Sequence, residues 1–294
     1  ARVLLWLKHS LLLSVGAVAL AGPPGTLSAV VVFKTPMPGR RFARLVLVAM
    51  LFVPLFVVAA AWDAGFGMQG WFTQTTNPRL VTKPWLAGWR AAVWVHALAG
   101  VPWVALIVGV ALRSAEPDLE EDAALVASPW RVLWNVSLRR AAPAIVAATM
   151  WVAVIAMSEI AVTDLFQIRT FAEEVYTQSA LGAWDFGGQE NMSSEQGGPS
   201  TPTDPGAPVL FWAGIMFVVA LTVVALAVVS MCGSSLASPP TGPLWMAPLG
   251  RAKWPVTIGA WTLLSVVAGV PLANLAYKAG ITVHSTETGR VRRW

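Results

Sequence analysis

The chain lacks most of the residue combinations from which metal and disulfide sites are built. Cys232 is its single cysteine, so neither an internal disulfide nor a site with several cysteine ligands can form. Its three histidines, His9, His96 and His284, are far apart in sequence and show no paired ligand spacing. Each is more consistent with an isolated polar residue than with a metal ligand. We therefore predict no metal site and no cofactor.

Charge is also scarce, and the phosphate-binding loop of many ATPases is missing. Charged residues make up 12% of the chain and hydrophobic residues 56%, whereas soluble domains carry about 25% charged residues. No GxxxxGK[ST] sequence occurs, so the chain does not hydrolyse ATP by that route. The net charge of +5 requires no nucleic-acid partner, because cytoplasmic loops of membrane proteins collect Lys and Arg.

The chain is instead rich in apolar runs of about twenty residues, the length needed to cross a bilayer. These runs predict an all-α, polytopic integral membrane protein with membrane lipid as a partner. The six predicted spans are residues 9–33, 42–62, 90–112, 141–163, 208–232 and 256–277. We expect the first span to be broken near its middle by AGPPG at residues 21–25, because proline removes a helical hydrogen bond.

Basic residues are concentrated in three loops that alternate along the chain and so share one side of the membrane. The loops follow the first, third and fifth predicted spans and contain ten of the twenty Lys and Arg residues. The positive-inside rule places this side in the cytoplasm. Loop 113–140 is then cytoplasmic, and the acidic loop 164–208 is external.

Loop 113–140 is the most charged part of the chain. Acidic residues at 118–122 suit the start of one helix, and Ser128-Pro129 is typical of the start of another. Beyond this point the apolar residues recur at helical spacing and form one stripe: Trp130, Leu133, Trp134 and Leu138. The pattern predicts two short cytoplasmic helices with an angle between them. It is also typical of an amphipathic helix lying on the inner leaflet.

The loop resembles the EAA signature of binding-protein-dependent ABC transporter permeases: Glu-Ala-Ala, three residues, Gly, nine residues, Ile-x-Leu-Pro. Glu120 takes the Glu position, Val136 the Ile position and Leu138 the Leu position. The two alanines, the glycine and the proline are replaced here by Glu121, Asp122, Val126 and Arg139. The loop also lies between a third and a fourth predicted span, followed by AAPAI.

The resemblance extends to other segments and indicates the fused ferric-iron type of these permeases, in which one chain holds two modules. It rests on HSLLLSVGAVAL, the loop ending in PGRR, the apolar run ending in AAAW, and SEIAVTDLFQIRTFAEEVYTQ. It implies a first module at 1–232, truncated at its N-terminus, a cytoplasmic linker at 233–255 and the start of a second module at 256–294. Both ends of the chain are then expected to be truncation points.

The function implied by the resemblance is that of the transmembrane permease subunit of an ATP-binding-cassette importer in the bacterial inner membrane. The implied partners are a dimer of separate ATPase subunits and a periplasmic solute-binding protein. Because ATP hydrolysis is then expected on the ATPase subunits, the resemblance implies that this chain is not an enzyme. The solute is a small one, with ferric iron as the candidate, although relatives that carry sulfate, molybdate, thiamine or polyamines share this layout. The expected ATPase-coupling residues are Glu120, Trp130, Leu133, Trp134, Val136 and Leu138.

Glu159 is the carboxylate that falls inside a predicted span, the fourth. Intramembrane carboxylates often line a transport pathway, and the alternative is a position near the outer end of the span, in contact with water. An alternative function is an ion-coupled secondary transporter that uses the broken first span and Glu159. A membrane scaffold with no transport role is a third.

Overall fold

The computed structural model describes residues 2–76, 84–114, 117–180, 245–280, 282–286 and 289–293, with five isolated positions between 215 and 226. The helices of the first half are α1 (Arg2–Lys34), α2 (Arg40–Leu51), α3 (Leu55–Phe66), α4 (Trp71–Thr76) and α5 (Gly88–Arg113). Those of the next part are α6 (Pro117–Val126), α7 (Pro129–Val132), α8 (Leu138–Ser158), α9 (Ala161–Leu165) and α10 (Phe171–Ala180). The last are α11 (Lys253–Leu264) and α12 (Val270–Ala279).

Short π-helical stretches at Leu133–Ser137 and Ser265–Gly269 join α7 to α8 and α11 to α12. The described chain ends in an antiparallel hairpin of β1 (Thr282–Thr286) and β2 (Gly289–Arg293). The all-α prediction therefore holds for the membrane-spanning part, and the hairpin is a small addition to it.

Four helical stretches among the described residues are long and apolar enough to cross a membrane, and a bent helix pair brings the number to as many as five. The four are Leu4–Lys34, Gly88–Arg113, Pro129–Ser158 and Gly250–Ala279. They correspond to the first, third, fourth and sixth predicted spans. The fifth predicted span, 208–232, lies almost wholly outside the described residues, so the predicted total of six stays a prediction.

The first span is one continuous helix, and the predicted break at 21–25 is wrong. Helix α1 runs through Pro23 and Pro24 without interruption. Helices α5 and α8 pack along it, and a Cβ atom on Gly25 would lie 2.6 Å from the Cβ of Val104 in α5. Membrane helices accept proline where neighbouring helices cover the freed backbone groups, and the close approach at Gly25 provides such cover.

The second span is broken, although the sequence predicted one continuous helix over 42–62. Helices α2 and α3 meet at an angle of 102°. Pro54 precedes α3 with extended backbone angles, φ −58° and ψ 139°. Proline lacks the N–H that would continue α2 and disfavours helical geometry in the residue before it. The break therefore lies at Pro54.

The fourth span begins twelve residues before its predicted start at 141, because helix continues without a gap from Pro129 to Ser158. The predicted boundary at Ser128-Pro129 is confirmed: Ser128 has extended angles, φ −66° and ψ 150°, and α6 ends at Val126. The second loop helix is, however, the first part of the span. The prediction of a separate short helix there is wrong.

Helices α1, α5 and α8 form the centre of the fold and pack through small residues. Close neighbours along α1 and α5 are Gly16 with Val93, Gly25 with Val104, and Phe33 with Gly109, an order that makes the two helices parallel. Helix α8 runs the other way, with Thr149 beside Gly22 and Val152 beside Gly100. Small residues allow helix backbones to approach closely in lipid, where the hydrophobic effect does not drive association.

The last helical stretch, α11–α12, packs against the bent pair. Trp261 of α11 stacks on Phe42 of α2 with ring centroids 5.9 Å apart. Trp71 Nε1–H donates a hydrogen bond of 3.1 Å to Asn274 Oδ1 of α12, and Asn274 lies directly beside Gly65 of α3. The span predicted to open a second module is thus in contact with the bent second span.

Candidate functional site: the end of the helices where the basic loops meet

The three basic loops meet at one end of the structure, which we call the basic end. Lys34, the last residue of α1, forms an ion pair with Glu120 of α6. The carbonyl of Lys34 accepts a hydrogen bond of 2.9 Å from the N–H of Ala247, in the segment before α11. The Arg40 guanidinium donates to the Met246 sulfur at 2.8 Å. Segments from all three loops are therefore in contact.

The opposite end gathers the beginning of α1 and the segment after α8. A ring nitrogen of His9 lies 3.0 Å from the carbonyl oxygen of Arg169, and the N–H of Phe171 donates to Ser10 Oγ at 3.0 Å. The described loops thus divide between two ends as the alternation of spans predicted. That the basic end is cytoplasmic stays a prediction from the positive-inside rule.

Glu120 is fully buried, which the sequence did not predict for a residue expected to contact the ATPase. Lys34 Nζ donates to Glu120 Oε1 at 2.8 Å and to Oε2 at 2.6 Å. Ser137 Oγ donates to Glu120 Oε1 at 2.6 Å. No member of this Lys34–Glu120–Ser137 cluster is more than 1% exposed. The carboxylate of Glu120 joins α1, α6 and the base of the fourth span, and presents no surface to another protein.

Helix α6 turns its other side away from the rest of the chain. Its inner side holds Glu120 with partly buried Ala123 and Ala124. Three residues on the outer side form what we call the α6 apolar edge: Leu119, Leu125 and Val126, which are 45%, 84% and 90% exposed. Exposed apolar residues gathered in this way indicate an interaction site. The sequence signal was present, because a helical projection places Leu125 and Val126 about 140° and about 120° away from Glu120.

The predicted coupling stripe faces α1 rather than the space beyond the basic end. Leu133 is 3% exposed, in a buried cluster with Val30 and Val108, whereas Trp130 and Trp134 are 52% and 74% exposed. Val136 and Leu138 are half-buried. The stripe lines one wall of an open apolar groove of about 910 Å³ whose other wall is α1. Its role in ATPase coupling stays a prediction, but Leu133 presents no contact surface because it packs inside the helix bundle.

Glu159 lies just past the last residue of α8, so its predicted position inside the fourth span is wrong. It is partly buried, and its Oε1 accepts a hydrogen bond of 3.1 Å from the N–H of Ala161, at the start of α9. The carboxylate satisfies a free donor at the beginning of a short helix. Its suggested role in a pathway stays a prediction.

His96 is a polar residue in the interior that sequence patterns did not distinguish. It is 3% exposed, and its Nδ1 lies 2.8 Å from the carbonyl oxygen of Ala92. Its Nε2 has no hydrogen-bond partner in the described part of the chain. Beside it is a cavity of about 70 Å³ at the break between α2 and α3. No three His, Cys, Asp or Glu side chains among the described residues are placed to hold a metal ion.

The comparison with known families places most of the chain in one of them. Residues 21–238, about three quarters of the sequence, match the family described as binding-protein-dependent transport system inner membrane component. The matched segment contains the basic loops at 34–44 and 113–140, the α6 apolar edge and Glu159. It ends before α11. No curated protein matches the chain in sequence.

Proposed function

Because the chain belongs to the family of binding-protein-dependent transport system inner membrane components, we propose that α6 is the surface on which the ATPase of the transport system docks. Permeases of this family work together with an ATPase and a solute-binding protein. The chain is accordingly a multi-pass permease component of an ABC importer. The finer proposal is that it lies in a bacterial inner membrane, with an ATPase dimer at the basic end and a periplasmic binding protein at the other.

The exposure of the α6 apolar edge carries this proposal. The edge lies at the basic end, on a helix of ten residues between the third and fourth spans. Leu125 and Val126 are 84% and 90% exposed, which is unfavourable for apolar side chains in water. Exposed charged residues, Glu121 and Asp122, lie beside them. An apolar centre with a charged rim is the usual composition of a protein interface.

The test is co-purification of the ATPase with the full-length permease carrying Leu125→Asp or Val126→Asp. We expect each substitution to reduce ATPase recovery strongly, because a carboxylate would be buried without a partner in the interface. The matched control is Leu165→Asp, which changes an exposed leucine at the opposite end. Equal ATPase recovery with Leu125→Asp and with the parent would contradict docking at α6.

Ferric iron is proposed as the solute, and the resemblance to the fused ferric-iron permeases is its only support. The test compares uptake of labelled ferric iron and of labelled sulfate by cells with and without the gene. Loss of iron uptake alone is the expected result, and loss of sulfate uptake alone would assign a different solute. The same resemblance supports the proposal that Gly250–Ala279 opens a second module, since the family match ends at 238.

The two features that suggested an ion-coupled secondary transporter, a broken first span and a carboxylate inside the fourth span, are absent from the described structure. Helix α1 is continuous through Pro23 and Pro24, and Glu159 lies outside α8. Uptake that stops when the ATPase is inactivated, while the ion gradient is intact, is the result expected for the importer. Uptake that continues without the ATPase would restore the alternative.

A further inference from the structure

The Lys34–Glu120–Ser137 cluster joins the proposed docking helix to two spans through buried polar contacts. We infer that this cluster is a mechanical link that makes α6 move together with the ends of α1 and the fourth span. The inference rests on the proposed docking at α6. Lys34, Glu120 and Ser137 are positioning residues in this scheme, and none of them touches the ATPase or the solute.

The position of α6 depends on its contacts with the rest of the chain. The helix has ten residues, and isolated helices shorter than about 12–15 residues are marginally stable in water. Its partly buried side chains beside Glu120 are those of Ala123 and Ala124, which bury little apolar area. The contacts of Glu120 with Lys34 and Ser137 are therefore the deepest attachment of this helix.

The ion pair resists separation more than it resists movement as a unit. Each of the two charged side chains is 1% exposed. Removing the partner of a buried charge is strongly destabilising. Pulling α6 away from α1 would leave both charges buried and unpaired, or would require water to enter. Moving α6, α1 and the base of α8 together leaves the hydrogen bonds intact. A displacement imposed on α6 is therefore passed to the spans as a rigid-body movement.

The link also reaches the segment before α11. The side chain of Lys34 holds Glu120, while the carbonyl of Lys34 accepts the hydrogen bond from Ala247. Movement of the end of α1 is thus transmitted to the chain that leads into α11 as well as to α6. Lys34 is the residue through which three separate segments are connected.

The experiment measures whether α6 stays at a fixed distance from α1. Spin labels are placed at positions 27 and 118, which are both exposed, in the full-length chain carrying Cys232→Ser. The permease, with and without its bound ATPase, is reconstituted in lipid nanodiscs. The distance distribution is recorded without nucleotide and with a non-hydrolysable ATP analogue. In the parent we expect one narrow distribution that does not change with the analogue.

Glu120→Gln and Lys34→Met should each break the link. In the variant permease without ATPase, we expect a broader distribution of the distance between the two spin labels. When the ATPase complex binds the analogue, we expect this distance to increase. The matched control is Asp164→Asn, an exposed carboxylate at the opposite end and outside the proposed docking surface, which should behave like the parent. The double variant K34E/E120K should narrow the distribution again, because it restores an ion pair with the charges exchanged.

The outcomes separate this inference from the docking proposal. If Lys34→Met and Glu120→Gln keep the narrow parental distribution in both nucleotide states, the mechanical link is wrong even where the ATPase binds normally. If the ATPase does not bind the parent, docking at α6 is wrong, and the comparison of parent and variants without ATPase still tests the attachment of α6. Variants that reduce the yield of inserted protein but leave the distribution narrow would show a purely structural role and overturn the inference.

Discussion

At the scale of single residues, the least predictable feature is the pairing of Glu120. The sequence presents four acidic residues within five positions, and nothing in their spacing distinguishes the one that turns inward. Its partner, Lys34, is 86 positions away. The partner became identifiable only when α1 and α6 were placed against each other. Family resemblance assigned Glu120 to a surface that contacts the ATPase, whereas its side chain is buried.

The burial of Glu120 predicts a large difference between neighbouring carboxylates. Glu120→Ala leaves the charge of Lys34 buried without a partner, and we expect it to destabilise the fold by about 3–5 kcal/mol. Glu121→Ala, on the exposed side, should change stability by less than about 0.5 kcal/mol. Thermal unfolding of the purified chain in detergent measures both. Similar melting temperatures for the two variants would contradict the buried ion pair.

A second residue-scale prediction concerns the contact between α1 and α5. Gly25→Ala places a methyl group 2.6 Å from the Cβ of Val104, and overpacking of this kind costs about 1–3 kcal/mol. Gly259→Ala is the matched control, because nothing lies within 4 Å of a Cβ atom at that position. The expected result is a lower unfolding temperature for the first variant only. An unchanged value for Gly25→Ala would show that the helices are less closely packed.

At the scale of elements, hydropathy predicted the positions of the described spans correctly, whereas the positions of proline residues did not predict where the helices break. The spans around 9–33, 90–112, 141–163 and 256–277 are all present as long apolar helices. Proline predicted a break in α1, where neighbours cover Pro23 and Pro24, and not at Pro54, where the chain turns by 102°. The difference depends on packing by distant segments, which local sequence does not contain.

The two faces of the helix that starts at Pro129 should respond differently to charge. Leu133→Asp puts a carboxylate among Val30 and Val108 in the buried cluster and should reduce the yield of folded, membrane-inserted protein. Trp134→Asp changes a side chain that is 74% exposed and should leave the yield near that of the parent. Size-exclusion chromatography of the solubilised protein measures the difference. A normal yield for Leu133→Asp would contradict its buried position.

At the scale of the whole molecule, the loops separate into two ends as the alternation of spans requires. What the sequence could establish was this alternation and the excess of basic residues on one side, because both follow from composition. It could not establish which loop residues touch one another, since contacts such as Lys34 with Ala247 depend on the packing of the spans.

The topology itself is tested by labelling introduced cysteines in a Cys232→Ser background. Arg131→Cys lies near the basic end, and Glu195→Cys lies in the loop predicted to be external. A reagent that does not cross the membrane should label intact cells at position 195 and should label position 131 only after the membrane is opened. The reverse pattern would place the basic end outside and remove the ATPase from α6.

The last helical stretch, α11–α12, contacts both helices of the bent pair and so bridges the bend between them. Trp261 touches the first limb of the bend at Phe42, and Asn274 touches the second at Gly65. The two attachment points are thirteen residues apart, on either side of the π-helical stretch Ser265–Gly269. We therefore expect their spacing to influence the angle between the two limbs. One residue inserted between them would rotate Asn274 by about 100° away from Gly65, and the second limb would lose its fixed position.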